Sequence, residues 1–295
     1  MELNPALGIN LKDHDPNDIL NGKLWRITEK VDGVRRLFYK DKNGKVRCYS
    51  RTGKADQWLG HITSYLEASN FPKDLVYDTE LVDSELYIAN VDSFLLRAET
   101  TGKAGLQYSG YQKTDLVAIC FDIFSPDGDL RKGAERHHLL NKIFSKVPLY
   151  SPIFLVPYYD VLNGNDSKTL NSLMKTIIAR DGEGLMLNNL DAPYIHGRSK
   201  ELVKVKRFED FIGEVIDIEY GANGTKIEGG IASLICTVSG CTVPIRVGTG
   251  FSKEERLYFA KFSPIGAIIE IEAFGKTKNK HGDISLSMPV FKRIK

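Results

Sequence analysis

Long apolar runs are missing from this 295-residue chain. Without about 18 consecutive apolar residues, no hydrophobic membrane-spanning helix is expected. The opening Met1-Glu2-Leu3-Asn4-Pro5 lacks the basic, apolar and cleavage pattern of a secretion signal, so the expected compartment is the cytoplasm. Cysteine is scarce. Cys48, Cys120, Cys236 and Cys241 are scattered through segments that read as strands, which favours reduced thiols over a disulfide frame. No Cys or His pair at ligand spacing accompanies Cys236 and Cys241, and His137-His138 falls in a polar helical stretch, so no structural zinc is expected. Neither sign of charge prevails: 40 Lys and Arg oppose 38 Asp and Glu, a formal net charge of +2. A uniformly basic surface is thereby excluded, and distribution matters more than the sum. Lys276, Lys278, Lys280, Lys292, Arg293 and Lys295 gather near the C-terminus, where they can face a phosphate backbone or simply solvent. Two phosphate-binding signatures are incomplete. Gly275-Lys276-Thr277 ends like a P-loop, but Glu270 stands where a glycine is required, and Gly248-Thr249-Gly250 lacks the third glycine of a dinucleotide fingerprint. What remains is a 42% hydrophobic composition, enough for a substantial core.

Short β-rich runs bounded by turn formers, such as Leu75-Val76-Tyr77, Leu116 to Phe124 and Gly184 to Leu187, predict strands. Trp58 to Ala68, Arg131 to Phe144 and Ser167 to Arg180 carry apolar residues at helical spacing, the last opened by an Asp166-Ser167 cap. Thr100 to Thr114, rich in Gly, Lys, Tyr and Ser, reads as a loop. The mixture predicts an α+β domain built on antiparallel sheets over residues 1–207. The texture changes after Lys206. Phe211 to Tyr220, Ile231 to Val238, Thr242 to Val247, Ala267 to Phe274 and the tail Ile284 to Ile294 read as five strands, with one short helix from Ser252 to Lys261. That count fits a small all-β barrel of the OB type over residues 208–295, with a hinge near Arg207 to Phe211.

The most informative stretch is Lys30-Val31-Asp32-Gly33-Val34-Arg35, which gathers an amine, a carboxylate and a guanidinium on six residues. Ile27 to Arg36 reads as a strand ending in a turn, with Gly33 free to take a backbone angle that a larger residue resists. On a strand, Lys30 and Asp32 share one side. A surface hairpin with a solvated lysine has the same letters, so the order of the later strings decides. These are Ser50-Arg51-Thr52-Gly53-Lys54, Asp78-Thr79-Glu80, Cys120-Phe121-Asp122-Ile123, Glu183-Gly184-Leu185-Met186 and Lys204-Val205-Lys206. The ordered set resembles the ATP-dependent DNA ligases of the covalent nucleotidyltransferase superfamily, and in size the small viral and bacteriophage members. It covers nearly the whole chain. Gly248-Thr249-Gly250-Phe251, followed by Ser252, also resembles the turn into the helix of ligase OB domains.

The resemblance implies a nucleotidyltransferase (adenylation) domain followed by the OB module, and a reaction in which Lys30 takes AMP from ATP. The AMP would pass to the 5′-phosphate of nicked duplex DNA, and the 3′-hydroxyl would then close the nick. A lysine attacks only as the neutral amine, whereas an unperturbed lysine titrates near about 10.4. Arg35, Lys204, Lys206 and a bound Mg²⁺ are the cations available to disfavour the ammonium and to neutralise the phosphates. Mn²⁺ is expected to substitute. Asp32, Asp78, Glu80 and Glu183 are the acidic members of the set, with hard oxygens suited to Mg²⁺ or to hydroxyls. By resemblance Glu80 lies near the ribose and Glu183 near the metal, with Asp78 and Glu80 as further metal candidates. Phe121 and Met186 correspond to the two faces around adenine, although apolar strands usually bury such residues in the core. Arg51, Lys54 and Arg35 are the candidates for contacting DNA, because a guanidinium fork binds phosphate through two parallel hydrogen bonds. Monomeric action in replication, repair or recombination is expected by analogy.

The chain departs from the family pattern near its end. In Leu286-Ser287-Met288-Pro289-Val290-Phe291, Ser287 stands where the family has an arginine for the ATP pyrophosphate. Either orientation of that group falls to Lys292, Arg293 or another cation, or the first step is expected to be slow. Gly221 to Gly230 is too short for the DNA-encircling latch of one viral relative. An RNA ligase or a GTP-using capping enzyme of the same superfamily is the neighbouring reading, and a non-catalytic nucleic-acid-binding protein is the remote one.

Overall fold

The computed structural model describes residues 3–89, 93–105, 113–164, 166–180, 182–206, 208–273, 275–278, 282–286 and 288–295. Two units make up the chain, Met1–Lys206 and Arg207–Lys295.

The strands of the first unit are β1 (Ala6–Asn10), β2 (Leu24–Glu29), β3 (Val34–Lys40), β4 (Val46–Ser50), β5 (Leu75–Asp83), β6 (Leu116–Phe124), β7 (Ile153–Leu155), β8 (Tyr158–Asn163), β9 (Gly184–Asn189) and β10 (Gly197–Lys206). Its helices are α1 (Pro16–Leu20), α2 (Gly60–Ala68), α3 (Ser84–Ile88), α4 (Ser93–Gly105), α5 (Gly133–Phe144) and α6 (Ser167–Ala179). The strands form two five-stranded sheets, one in the order β1-β10-β9-β2-β8 and the other in the order β4-β3-β5-β6-β7. Most pairs are antiparallel, but β1 joins β10 and β7 joins β6 in parallel. Both sheets are thus mainly, not wholly, antiparallel. The intervening α5 carries the chain back so that β7 runs alongside β6, the connection that parallel neighbours require. Thr100 to Thr114 is likewise not simply a loop. Its first residues complete α4, and residues 106–112 lie outside the described ones.

Helical spacing explains how the sheets are covered. Leu170, Leu173, Met174 and Ile177 follow one another at i, i+3, i+4 and i+7 along α6 and pack with Trp25, Ile27, Leu185, Leu187 and Val203 of the first sheet. Asp166 starts that helix by accepting the Thr169 N–H at 3.1 Å. On the second sheet, Ile62 and Leu66 of α2 and Leu140 of α5 join Phe38, Tyr77, Ala118 and Cys120. Each such aliphatic side chain contributes roughly 1.5–3 kcal/mol when fully buried. Cys48, Cys120 and Cys236 are buried free thiols, and Cys241 is half-buried.

The second unit contains β11 (Glu209–Tyr220), β12 (Ile231–Val238), β13 (Ile245–Val247), α7 (Lys253–Lys261), β14 (Ile268–Ala273), β15 (Lys276–Lys278), β16 (Ile284–Leu286) and β17 (Val290–Ile294). Five of these strands form an antiparallel sheet in the order β13-β12-β11-β14-β17, and β15 pairs separately with β16. The tail read as one strand is therefore two. Among the described residues no ladder closes the sheet into a barrel; its edges approach through one parallel bridge, Thr249 to Val290. Ser252 and Glu255 form a capping box at the start of α7, and Phe251 stacks on Phe291 with ring centroids 4.6 Å apart. No helix among the described residues is long and apolar enough to cross a membrane.

Candidate active site

Strand β2 belongs to one sheet of the first unit and β3 to the other, so residues 30–33 are the crossing between them. Lys30 and Asp32 stand in this crossing and not on a strand, which corrects the alternation argument. The crossing is nevertheless held: the Lys30 N–H donates to the Gly184 carbonyl at 2.9 Å. Gly33 is needed for space, not for an unusual backbone angle. A Cβ there would stand 2.0 Å from the Leu81 carbonyl oxygen and 3.0 Å from Glu80 Cγ. Gly33→Ala is expected to lower stability by about 1–3 kcal/mol and to displace the Lys30 amine; a melting temperature equal to the parent's would contradict this.

Glu183 precedes β9 and forms an ion pair with Lys30. It also pairs with Lys206 at 3.0 Å. Register explains the convergence, because Lys206 lies opposite Gly184 and Lys204 opposite Met186. Gly184 permits this close approach, since its φ is +149° and an added Cβ would meet the Val205 carbonyl oxygen at 2.2 Å. Burial alone would raise the Glu183 carboxyl, but Lys30 and Lys206 outweigh it and hold it below the usual range. The Lys204 amine is lowered, first by burial and then by Lys206, Arg198 and Lys30. Asp32 is raised by burial and by Glu183, against the pull of Arg97 and Lys30.

Glu80, half-buried on β5, is pushed up to about 7; burial is the main cause, reinforced by Asp32 and Glu183 and opposed by Lys30 and Arg35. The folded protein therefore holds this proton over a pH range in which the unfolded chain has released it. Its contribution to stability is present below the ordinary value of 4.5 and is lost as pH rises from there to about 7. Glu80→Gln is expected to flatten that part of the melting-temperature profile in metal-free buffer and to raise stability at pH 8. An unchanged slope would show that another group titrates there.

Asp78 and Arg35 occupy a different cluster from the one their motifs suggested. Asp78 is fully buried, accepts from Arg35 Nε at 2.8 Å and Nη2 at 2.5 Å, and takes the Tyr194 hydroxyl at 3.1 Å. Both its oxygens accept hydrogen bonds within this cluster, one of them from Arg35 and Tyr194 together. Arg35 also donates to the Ala6 carbonyl at 2.8 Å and lies 5.3 Å from the centre of the Phe121 ring. Burial opposes its charge, but Asp78 prevails and the guanidinium pKa is raised. In this arrangement Arg35 fixes the Phe121 face and is not a free phosphate ligand. Arg26 donates to the Phe121 carbonyl at 2.6 Å, and Asn188 donates to Asp122 at 3.0 Å, tying the two sheets together across the site. Phe121 and Met186 are both half-buried, one on each sheet.

Arg51 and Lys54 stand exposed in the turn after β4, which is closed by the Ser50 N–H donating to the Lys54 carbonyl at 2.7 Å. In the second unit, Lys292 pairs with Asp210 at 3.1 Å and Glu270 at 3.6 Å, and Arg293 with Glu270 at 2.8 Å. These cations are engaged by carboxylates of their own sheet. Lys280 and Ser287 lie outside the described residues. Among the described residues no three His, Cys, Asp or Glu side chains converge to hold a metal ion. Asp32 and Glu183 still fit Mg²⁺, which commonly uses one or two protein carboxylates and completes its shell with water and phosphate oxygens.

Residues 14–206 match the family model for the ATP dependent DNA ligase domain. The chain belongs to the ATP-dependent DNA ligase family. A relative, DNA ligase 4 of Coprinopsis cinerea, is 28% identical over 265 residues, covering 79% of this chain and 25% of that protein. The chain thus spans about a quarter of that relative's length. The solved structure "Pmar-Lig_PreS3" superposes with a TM-score of 0.83 at 24% identity, over 100% of this chain and 68% of that one. A structure from "DNA binding with a minimal scaffold: Structure-function analysis of Lig E DNA ligases" gives 0.74 at 23% identity, over 99% of both chains. At these identities the structural likenesses establish the fold. Within the ligase domain, sequence reasoning missed Arg97, Tyr194, the Asp122–Arg136 pair and Arg26. Only Arg26 left a local signal, a charge flanked by the apolar Trp25 and Ile27.

Proposed function

We propose that this chain is a nick-sealing ATP-dependent DNA ligase in which Lys30 carries the adenylate. The observation that carries the reading is the Lys30–Glu183–Lys206 constellation, set at the crossing between two sheets. Glu183 orients the Lys30 amine by its ion pair, and Lys204 and Lys206 offer positive charge from one face of β10, where charge develops on the phosphates. Phe121, backed by Arg35, and Met186 supply apolar surfaces for the two faces of adenine, with Glu80 assigned to the ribose. Asp32 and Glu183 would hold Mg²⁺, or Mn²⁺ in its place, and the ion would supply charge neutralisation at the phosphates. Arg51 and Lys54 are assigned to the DNA 5′-phosphate side, their exposure leaving them open to the backbone.

Residues 1–207 would form the adenylation domain. Residues 208–295 would form an OB-type module, supported by five strands, one capped helix and the Thr249 to Val290 bridge between the sheet edges. The chain would act as a monomer on nicked duplex DNA in the cytoplasm of a bacterial or infected cell.

The test is incubation with α-labelled ATP and Mg²⁺, mapping of the labelled peptide, and sealing assays on nicked DNA and on an RNA nick. Label at Lys30 and closure of the DNA nick are the expected results. Preference for RNA, labelling by GTP in place of ATP, or DNA binding with no AMP transfer would each replace the proposal with a named neighbour.

A further inference from the structure

Helix α4 carries a cation that no motif announces. The helix is anchored: Leu96 is buried with Val82, Ile119 and Val156, Thr100 Oγ1 accepts the Asp83 N–H at 2.9 Å, and Lys113 Nζ donates to the Ala104 carbonyl at 2.7 Å. From this fixed backbone Arg97 reaches the sheet crossing and donates Nη1 to Asp32 at 2.6 Å, with its side chain 55% exposed. Among the described residues this is its one hydrogen bond, out of the five N–H groups a guanidinium offers. The Glu183 and Glu80 carboxylates add to the field around it.

Departure of pyrophosphate requires positive charge beyond the α-phosphate, and a cation besides Lys204 and Lys206 can supply it. Lys30 is the nucleophile, Lys206 pairs with Glu183 and Arg35 is bound to Asp78. Lys292 and Arg293 of the second unit pair with Asp210 and Glu270. Arg97 stands at the acidic centre, with a carboxylate in the position that a phosphate oxygen can take by the same fork geometry.

Resting on the adenylyl-transfer reading, we propose that Arg97 binds the β- and γ-phosphates of ATP during attack by Lys30, exchanging Asp32 for them. In that step the Lys30 nitrogen forms a bond to the α-phosphorus as the bond to the bridging oxygen breaks. Pyrophosphate leaves with the electron pair, and the amine proton passes to water. Arg97 stabilises the charge that appears on the leaving group.

The experiment uses the whole chain carrying Arg97→Ala or Arg97→Lys, with thermal unfolding to check folding. Inorganic pyrophosphate is titrated against the isolated lysyl-adenylate to drive the reverse reaction. In Arg97→Ala the pyrophosphate concentration for half-maximal reversal is expected to rise about 10- to 100-fold. The KM for ATP in the forward step should rise with it, and by a clearly larger factor than any loss in sealing of a pre-adenylylated nick, where Arg97 acts only through Asp32. Arg97→Lys should recover part of the loss, because the charge returns without the fork. Unchanged pyrophosphate dependence, or an equal loss on the pre-adenylylated nick, would overturn the assignment. A parent chain that forms no lysyl-adenylate at all would overturn the underlying reading instead, a result distinguishable because nothing is then available for pyrophosphate to reverse.

Discussion

Replacing Lys30 by alanine is expected to abolish transfer of labelled AMP from ATP and, with it, sealing of a 5′-phosphorylated nick. The loss should be on the order of 10⁴-fold or more, because the covalent acceptor itself is removed and no neighbour stands in its place. Lys206 is held by Glu183 at 3.0 Å, and Lys204 projects from another strand, opposite Met186. Neither shares the sheet crossing fixed by the Lys30 N–H to the Gly184 carbonyl. Folding should survive, since Glu183 keeps Lys206 as a partner and Lys30 is not part of an apolar cluster. The variant should also retain part of its activity on a nick that already carries AMP, because closure by the 3′-hydroxyl needs no lysine nucleophile. Labelling of Lys30→Ala at the parent's level would end the assignment of the nucleophile.

What could be read from the letters alone depended on whether a residue's role is set locally. Asp166 and Ser252 were legible as caps because a side-chain oxygen satisfies a backbone N–H only three residues ahead. The α6 stripe was legible from its spacing, and the family from the order of its motifs. The placement of Lys30 was misread because β-like letters on both sides of 30–33 concealed a change of sheet, which is a tertiary event. The ion pair of Asp78 with Arg35 was not legible for a related reason. The spacing of Asp78 from Glu80 does put both on one side of β5, but Arg35 approaches from the neighbouring β3 and claims one of the two carboxylates. Arg97 had no local signature at all. Its position at Asp32 depends on how α4 docks through Leu96 and Thr100, which no pattern within Ser93–Gly105 specifies. The barrel expected from strand count was drawn too closed, because strand count does not determine whether edge strands β13 and β17 form a ladder.

The Glu183→Gln variant should separate orientation of the nucleophile from mere folding. The substitution keeps the shape and removes the charge that both Lys30 and Lys206 face. Two ammonium groups then lose their shared carboxylate while Lys204 remains nearby, so like charges are left in a partly desolvated space. Stability is expected to fall by about 1–3 kcal/mol, and the rate of lysyl-adenylate formation by about 10²- to 10³-fold. Asp32 should ionise at lower pH in this variant, because Glu183 is one of the causes raising it. The acid limb of the adenylylation profile would then shift towards lower pH, an effect that a general loosening of the fold does not produce. Closure of a pre-adenylylated nick should fall less than adenylylation does, since the Lys30 amine no longer has to be aimed. If both steps instead declined in parallel and the acid limb stayed in place, Glu183 would be supporting the architecture of the sheet crossing and not the attack of the amine.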